Sequence, residues 1–133
     1  MKKLLIVDDD PIVLKMIEVH LSFEGFDILT AFDGFDALEK IERNKFDLII
    51  SDIMMQELSG LTLLSITRKF HGEIPIIFIS SMDSNEDISR YLGLGADDFF
   101  IKPINLDRLS LRIQQLLEQV ESDETKINKE IRS

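Results

Sequence analysis

Five polar residues stand where they could act together on phosphate or a metal ion. Asp8 and Asp9 follow the apolar run Leu4–Val7, Asp52 follows Leu48–Ser51, Ser80 follows Ile76–Ile79, and Lys102 follows Phe99–Ile101. If those runs bring them together, three carboxylates crowd one partly desolvated place and repel one another. A hard divalent cation with oxygen ligands relieves the conflict, and Mg²⁺ suits a site of few carboxylates because it keeps part of its water shell. A cation with open positions holds phosphate oxygens, a lysine ammonium offers a compact charge to another, and the serine hydroxyl can donate to a third. A carboxylate such as Asp52 is a competent nucleophile that forms an aspartyl-phosphate. The parts fit an in-line phosphoryl transfer. Taken singly, each residue has a plainer explanation. A strand-end aspartate caps the next helix, as Asp10 does; a lone lysine is a solvated surface group; a lone serine forms a turn. It is the joint placement at four segment ends that argues for chemistry.

The elements that must position these residues are written in the hydrophobic pattern. Five short runs, Leu4–Val7, Phe26–Ala31, Leu48–Ser51, Ile76–Ile79 and Phe99–Ile101, are mostly continuous in apolar residues, as strands buried on both faces are. Phe26–Ala31 is the mixed run, which suits an edge. Helical patterns lie between them. In the first, Ile12, Met16, Val19 and Phe23 recur at three- and four-residue spacing, Asp10 can cap the start, Pro11 fits the first turn, and Gly25 follows the end. The second covers Phe35 to Arg43 with Leu38 and Ile41 inside and Asp33-Gly34 as its entry. The third runs from about Leu61 to Phe70. The fourth runs from about Ser84 to Leu92, with Asp83 and Glu86 as a capping box. The fifth starts after Asn105, with Leu106, Leu109, Ile113, Leu116, Leu117 and Val120 along one side.

This strand–helix alternation predicts an α/β fold with a parallel sheet covered on both sides. Right-handed crossovers favour the doubly wound, flavodoxin-like (βα)5 sandwich with strand order 2-1-3-4-5. In that order strands one, three, four and five are consecutive, and ligands bind outside the carboxyl ends of such strands. The five polar residues then share one cleft. Residues 1–120 are expected to form this domain. Residues 121–133 are expected to be a polar tail, frayed or, through the seven-residue spacing of Ile113, Val120 and Ile127, an extension of the fifth helix.

Composition narrows the function. A formal charge of −10 disfavours direct nucleic-acid binding, which needs a basic face. No apolar run is long enough to span a membrane. The apolar stretch Leu4–Val7 runs straight into three aspartates and is too short for the core of a signal peptide. With zero cysteines there is no disulfide and no thiolate chemistry, which suits a reducing cytoplasm. Gly93-Leu94-Gly95 lacks the third glycine of a dinucleotide loop and joins a helix to a strand, the reverse of the required order. His20 and His71 lie on helical segments and are expected to pack or face solvent.

Several segments carry a resemblance. Leu4-Leu5-Ile6-Val7-Asp8-Asp9-Asp10-Pro11, Thr30-Ala31-Phe32-Asp33-Gly34-Phe35-Asp36-Ala37-Leu38, Ser51-Asp52-Ile53-Met54-Met55 with Gly60, Pro75-Ile76-Ile77-Phe78-Ile79-Ser80-Ser81, and Gly95-Ala96-Asp97-Asp98-Phe99-Phe100-Ile101-Lys102-Pro103 occur in order. Together they resemble the receiver domains of two-component response regulators, of the chemotaxis type, over residues 2 to about 120. The resemblance implies a Mg²⁺-dependent switch rather than a turnover enzyme. Asp52 would take a phosphoryl group from a sensor histidine kinase or a histidine phosphotransfer protein. Asp9 would bind Mg²⁺ directly together with Asp52 and the backbone carbonyl of Met54, with Asp8 acting largely through water. Ser80 and Lys102 would hold the phosphoryl group. Ser80 and Phe99 would form the switch, altering the face of the fourth helix, fifth strand and fifth helix, where a downstream protein binds or the domain dimerises. The Lys102–Pro103 bond would be cis. Met54 and Met82 would flank the path of a hydrolysing water. Gln56 departs from the pattern, which usually has proline there, and Ser80 stands where threonine is common.

Two other readings compete. A haloacid-dehalogenase type phosphohydrolase also forms an aspartyl-phosphate, but it needs a second aspartate two residues after the nucleophile, where this chain has Met54. A degenerate receiver that works without phosphorylation usually lacks some of the acids or the lysine, and all are present here.

Overall fold

The computed structural model describes residues 1–81 and 85–132, with side chains through Ile127. Each apolar run is a strand and each amphipathic pattern a helix. The order is β1 (Lys3–Val7), α1 (Pro11–Phe23), β2 (Asp27–Ala31), α2 (Gly34–Arg43), β3 (Leu48–Asp52), α3 (Gly60–His71), β4 (Ile76–Ser80), α4 (Asn85–Gly93), β5 (Asp98–Ile101) and α5 (Leu106–Arg132). All pairings are parallel, and the sheet runs β2-β1-β3-β4-β5, the expected doubly wound order.

Alternation along each strand divides the core in two. Leu4 and Ile6 point to one side of β1, and Leu5 and Val7 to the other. The first side packs with Ile17 and Leu21 of α1 and with Leu109, Ile113, Leu116 and Leu117 of α5. The second packs with Ala37 and Ile41 of α2, Leu63 and Leu64 of α3, and Tyr91 of α4. Ile49, Ile50, Ile76, Ile77, Phe78 and Ile79 are essentially inaccessible, which explains why β3 and β4 read as unbroken apolar runs. Each such side chain stabilises the fold by roughly 1.5–3 kcal/mol.

Local signals start the helices as anticipated. Asp10 accepts a hydrogen bond from the Ile12 amide, with Pro11 in the first turn, and Asp33 accepts one from the Asp36 amide. Ser59 does the same for the Thr62 amide at α3. The capping box at Asp83 falls outside the described residues, as does Met82. One pattern points the other way from its burial. Ile12, Met16, Val19 and Phe23 form the exposed face of α1, with Phe23 93% accessible, while Ile17 and Leu21 face the sheet. Beyond Val120 the chain continues as helix to Arg132. Glu121 on this extension pairs with Lys2 at 3.1 Å.

Candidate functional site

The sheet register carries the polar residues to one edge. Val7 pairs with Ser51, Asp52 with Ile79, and Ser80 with Ile101. One step further along their strands, Asp8 comes level with Asp52 and Lys102 with Ser81, the residue after Ser80. The Lys102 amide donates to the Ser80 carbonyl at 2.8 Å and holds β5 in line just before its side chain turns into the cleft. The Lys102–Pro103 peptide bond is cis, as expected.

The three acids converge. Asp8, Asp9 and Asp52 each place a carboxylate oxygen within 4.8 Å of the others. Asp8 is fully buried, Asp52 is 5% exposed, and Asp9 opens to solvent. Lys102 Nζ lies 2.9 Å from Asp8 Oδ2 and donates to Asp52 Oδ2 at 3.2 Å. The Asp10 amide donates to Asp8 Oδ1, and the Met54 amide donates to Asp52 Oδ1. One ammonium therefore faces two buried carboxylates. Its approach to Asp8 Oδ2 is close enough for an ion pair but not aligned for a hydrogen bond, so that buried oxygen has no hydrogen-bond donor among the described residues.

The electrostatics follow from this imbalance. Burial pushes the Asp8 carboxyl above its ordinary value, and the charge of Asp52 adds to the push; the Asp10 amide and Lys102 oppose it without cancelling it. For Lys102, burial works to lower the ammonium, but the close carboxylates of Asp8 and Asp52 outweigh it and hold the group above its ordinary value. An acid cluster with one orphaned buried oxygen and one solvent-facing carboxylate is a donor set that a divalent cation fits. Asp8, Asp9 and Asp52 could hold such an ion.

The other anticipated residues lie close by. Ser80 ends β4 and is 1% exposed. Met54 sits in the loop after β3 with its side chain outside. Phe99 is half-buried on β5, and its ring lies parallel to that of Tyr91 at 6.1 Å, while Tyr91 meets Phe78 edge-on at 6.4 Å. Tyr91 was not singled out in the sequence, although a tyrosine on the inner face of α4 is a signal that could have been used. His20 packs, as expected, between α1 and α5, 3.0 Å from Ser110 Oγ and 3.1 Å from Glu24 Oε1. Gly93-Leu94-Gly95 joins α4 to β5 and leads into no phosphate-binding helix.

The β3–α3 loop that carries Met54 is tightly built. The Gly60 amide donates to the Ile53 carbonyl at 2.9 Å, and Glu57 adopts φ +67°. A side chain at Gly60 would put its Cβ 2.6 Å from the Asp52 carbonyl oxygen. Only glycine lets α3 begin directly against the Asp52 backbone.

The response regulator receiver domain family matches residues 4–114. This chain belongs to that family. It is similar to the Francisella response regulator 1452 receiver domain, with 37% identity and a TM-score of 0.86 over 90% of this chain and 99% of that one. It is also similar to the response regulator TrrA from Thermotoga maritima, solved in complex with Mg²⁺-BeF. That match has 33% identity and a TM-score of 0.78 over 87% and 99% of the two chains. Among curated proteins it is 34% identical over 90% of its length to the alkaline phosphatase synthesis transcriptional regulatory protein PhoP of Bacillus subtilis, half of which it covers. The chain spans about half the length of the curated relatives it matches. The receiver fold and a response-regulator role in two-component signalling are thus shared with relatives that are mostly transcriptional regulators, so the chemotaxis subtype does not follow from the match.

Proposed function

We propose that Asp52 is the phosphoryl acceptor of this receiver and that Mg²⁺ assists the transfer. The observation that carries the reading is the single Lys102 ammonium shared by Asp8 and Asp52, with Asp9 within reach of both carboxylates. In the transfer, a carboxylate oxygen of Asp52 forms a bond to phosphorus as the bond from phosphorus to the donor nitrogen of a phosphohistidine breaks, and the electron pair returns to the imidazole. Bound Mg²⁺ would neutralise charge on the phosphoryl oxygens. Asp9, Asp52 and the Met54 carbonyl would hold it directly, and Asp8 largely through water. Lys102 then leaves its carboxylates for the phosphoryl group, and the Ser80 hydroxyl donates to another of its oxygens.

The donor's histidine must reach Asp52, so its carrier has to sit on the rim of the cleft. What supports a sensor kinase or histidine phosphotransfer protein there is the apolar, solvent-facing rim itself. Ile12, Met16 and Val19 of α1 lie beside Pro103 and Leu106. Helical spacing along α1 suits a helical partner. Output would pass through α4, β5 and α5 to a downstream protein or a second copy. Phe99 stacked on Tyr91, and Arg112 of α5 bonded to Asp98 of β5 at 2.6 Å, tie these three elements together. We assign the receiver to residues 1–120, with 121–133 as a polar C-terminal tail or helix extension, and a cytoplasmic site of action; no described helix is long and apolar enough to cross a membrane. Self-dephosphorylation would be slow, because the Met54 thioether is a weak acceptor that cannot orient an attacking water.

Treatment with acetyl phosphate and Mg²⁺ should give one phosphate adduct by intact mass, absent from Asp52→Asn. Amide shifts should extend from the cleft to Phe99 and Tyr91. An undiminished adduct in Asp52→Asn would overturn the assignment, and shifts confined to the cleft would overturn the output face.

A further inference from the structure

The loop that carries Met54 is gripped from outside the cleft as well as from within it. Gly34 is the first residue of α2, and a Cβ added there would lie 2.7 Å from Leu58 Cβ and 2.9 Å from the Leu58 carbonyl oxygen. Moving a side-chain tip would not relieve such an overlap, because the backbone of Leu58 is one of the groups in the way. Leu58 itself packs on the core cluster of the α2, α3 and α4 face, and its amide donates to the Gln56 carbonyl at 2.8 Å. The start of α2 is fixed in turn, since the Asp33 side chain accepts from the Asp36 amide at 2.7 Å and its carbonyl accepts from the Ala37 amide. Phe32 and Asp33 on one side, with Gln56 and Glu57 on the other, wall a pocket that opens onto Asp9. The β2–α2 turn and the β3–α3 loop are therefore opposing walls, and Gly34 against Leu58 sets how close they stand.

We propose that Gly34 is a positioning residue for the metal site, acting through Leu58 on the path of residues 54–58. Only the absence of a side chain at position 34 lets Leu58 seat against α2. That seat constrains a loop in which Gln56 keeps the backbone N–H and the φ freedom a proline would remove. Gly60 fixes the far end of the same loop on the Asp52 carbonyl, so the segment is held at both ends and leaned on in the middle. The proposal rests on the assignment of Mg²⁺ to Asp9, Asp52 and the Met54 carbonyl.

The test is Mg²⁺ binding by calorimetry to the full chain, with amide hydrogen exchange of residues 54–58 in the metal-free protein as a second readout. Gly34→Ala should weaken Mg²⁺ binding by about 10-fold or more, the range seen when groups behind a metal's ligands are altered. It should also speed exchange in the loop, while β1 and β4 amides keep their protection. Leu58→Ala, which removes the seated side chain without forcing an overlap, should move both readouts the same way by a smaller factor. It decides the matter if Gly34→Ala does not fold. Gly93→Ala, where nothing lies within 4 Å of the added carbon, is the control. Wild-type affinity and loop exchange in folded Gly34→Ala, or in Leu58→Ala where the first does not fold, would overturn the proposal. So would loss of protection spread evenly over the sheet, the sign of a purely structural role. If the wild type itself binds no Mg²⁺, the metal assignment fails and the exchange data still judge the loop contact.

Discussion

The two edges of the sheet handle charge in opposite ways. At the edge where the strands begin, Asp47, Asp97 and Asp98 each have a cation or amide as partner. Arg68 donates to the Ile74 and Gly95 carbonyls and to Asp97, which also accepts from the Ile76 amide. Arg112 holds Asp98, and Asp47 accepts from the Lys3 amide. At the edge where the strands end, two buried carboxylates share one lysine, Asp9 crowds in beside them, and a buried oxygen of Asp8 lacks a hydrogen bond. The first arrangement lowers the energy of the chain alone. The second leaves a cost of ionising a buried group, which a ligand can remove. The difference teaches where to look for function, since the unsatisfied edge is also the one to which the sheet topology directs ligands.

The comparison can be broken from either side. The largest expected effect on stability is at the satisfied edge. Arg68→Ala removes a bridge from α3 to the α3–β4 and α4–β5 loops and should cost about 2 kcal/mol, the scale of hydrogen bonds to a charged group, with Mg²⁺ affinity unchanged. Chemical denaturation with and without Mg²⁺ checks both halves, and a loss of Mg²⁺ affinity would show that the edges are not independent.

At the unsatisfied edge the sign reverses. The Asp8 carboxyl is raised in the folded protein, so its contribution is favourable while it is protonated and is lost as pH rises through its folded value. Near neutral pH the group is a burden on the metal-free fold. Asp8→Asn should therefore stabilise metal-free protein by about 1 kcal/mol, an amide being cheaper to bury than a carboxylate, and should reduce the stabilisation that Mg²⁺ gives the wild type. Thermal melts at pH 7 with and without millimolar Mg²⁺ decide this; a less stable metal-free variant would mean that the Lys102 pair outweighs the burial.

The smallest effect is kinetic. Met54→Asn combined with Met82→Glu should shorten the lifetime of the aspartyl-phosphate several-fold, on the order of 1 kcal/mol in the barrier. The decay of purified phosphorylated protein measures it, and an unchanged lifetime would clear the methionines of any gating role.

Much of this was legible in the sequence, and what was not had a physical cause. The strands were readable because β3 and β4 are buried on both faces, which leaves no polar residue to blur the pattern. The cleft was readable because a doubly wound sheet turns five strand-end residues into neighbours. The buried face of α1 was not. Apolar residues occupy positions 12, 13, 14, 16, 17, 19, 21 and 23, so more than one stripe can be drawn. Only packing on β1 and α5 selects Ile17 and Leu21 over Ile12 and Val19. The stacking of Tyr91 on Phe99 and the contact of Gly34 with Leu58 were equally hidden. They are steric relations between segments far apart in the chain, and no local period records them.

One further property follows from where α5 is rooted. Its first turn is capped by Asn105, whose side chain accepts from the Arg108 amide, three residues past Lys102. At about 1.5 Å per residue the helix runs some 40 Å from that root. Its last dozen residues, about 18 Å of it, lie beyond the stretch that packs on the sheet. A rigid rod of these proportions is a lever, with one arm packed against the sheet through Leu109, Ile113, Leu116 and Leu117 and a slightly shorter arm past it. A tilt of 10° at the packed end would swing the far end of that free stretch by about 3 Å, so a motion at the limit of detection beside Lys102 arrives as a side-chain-sized displacement at the other end of the molecule.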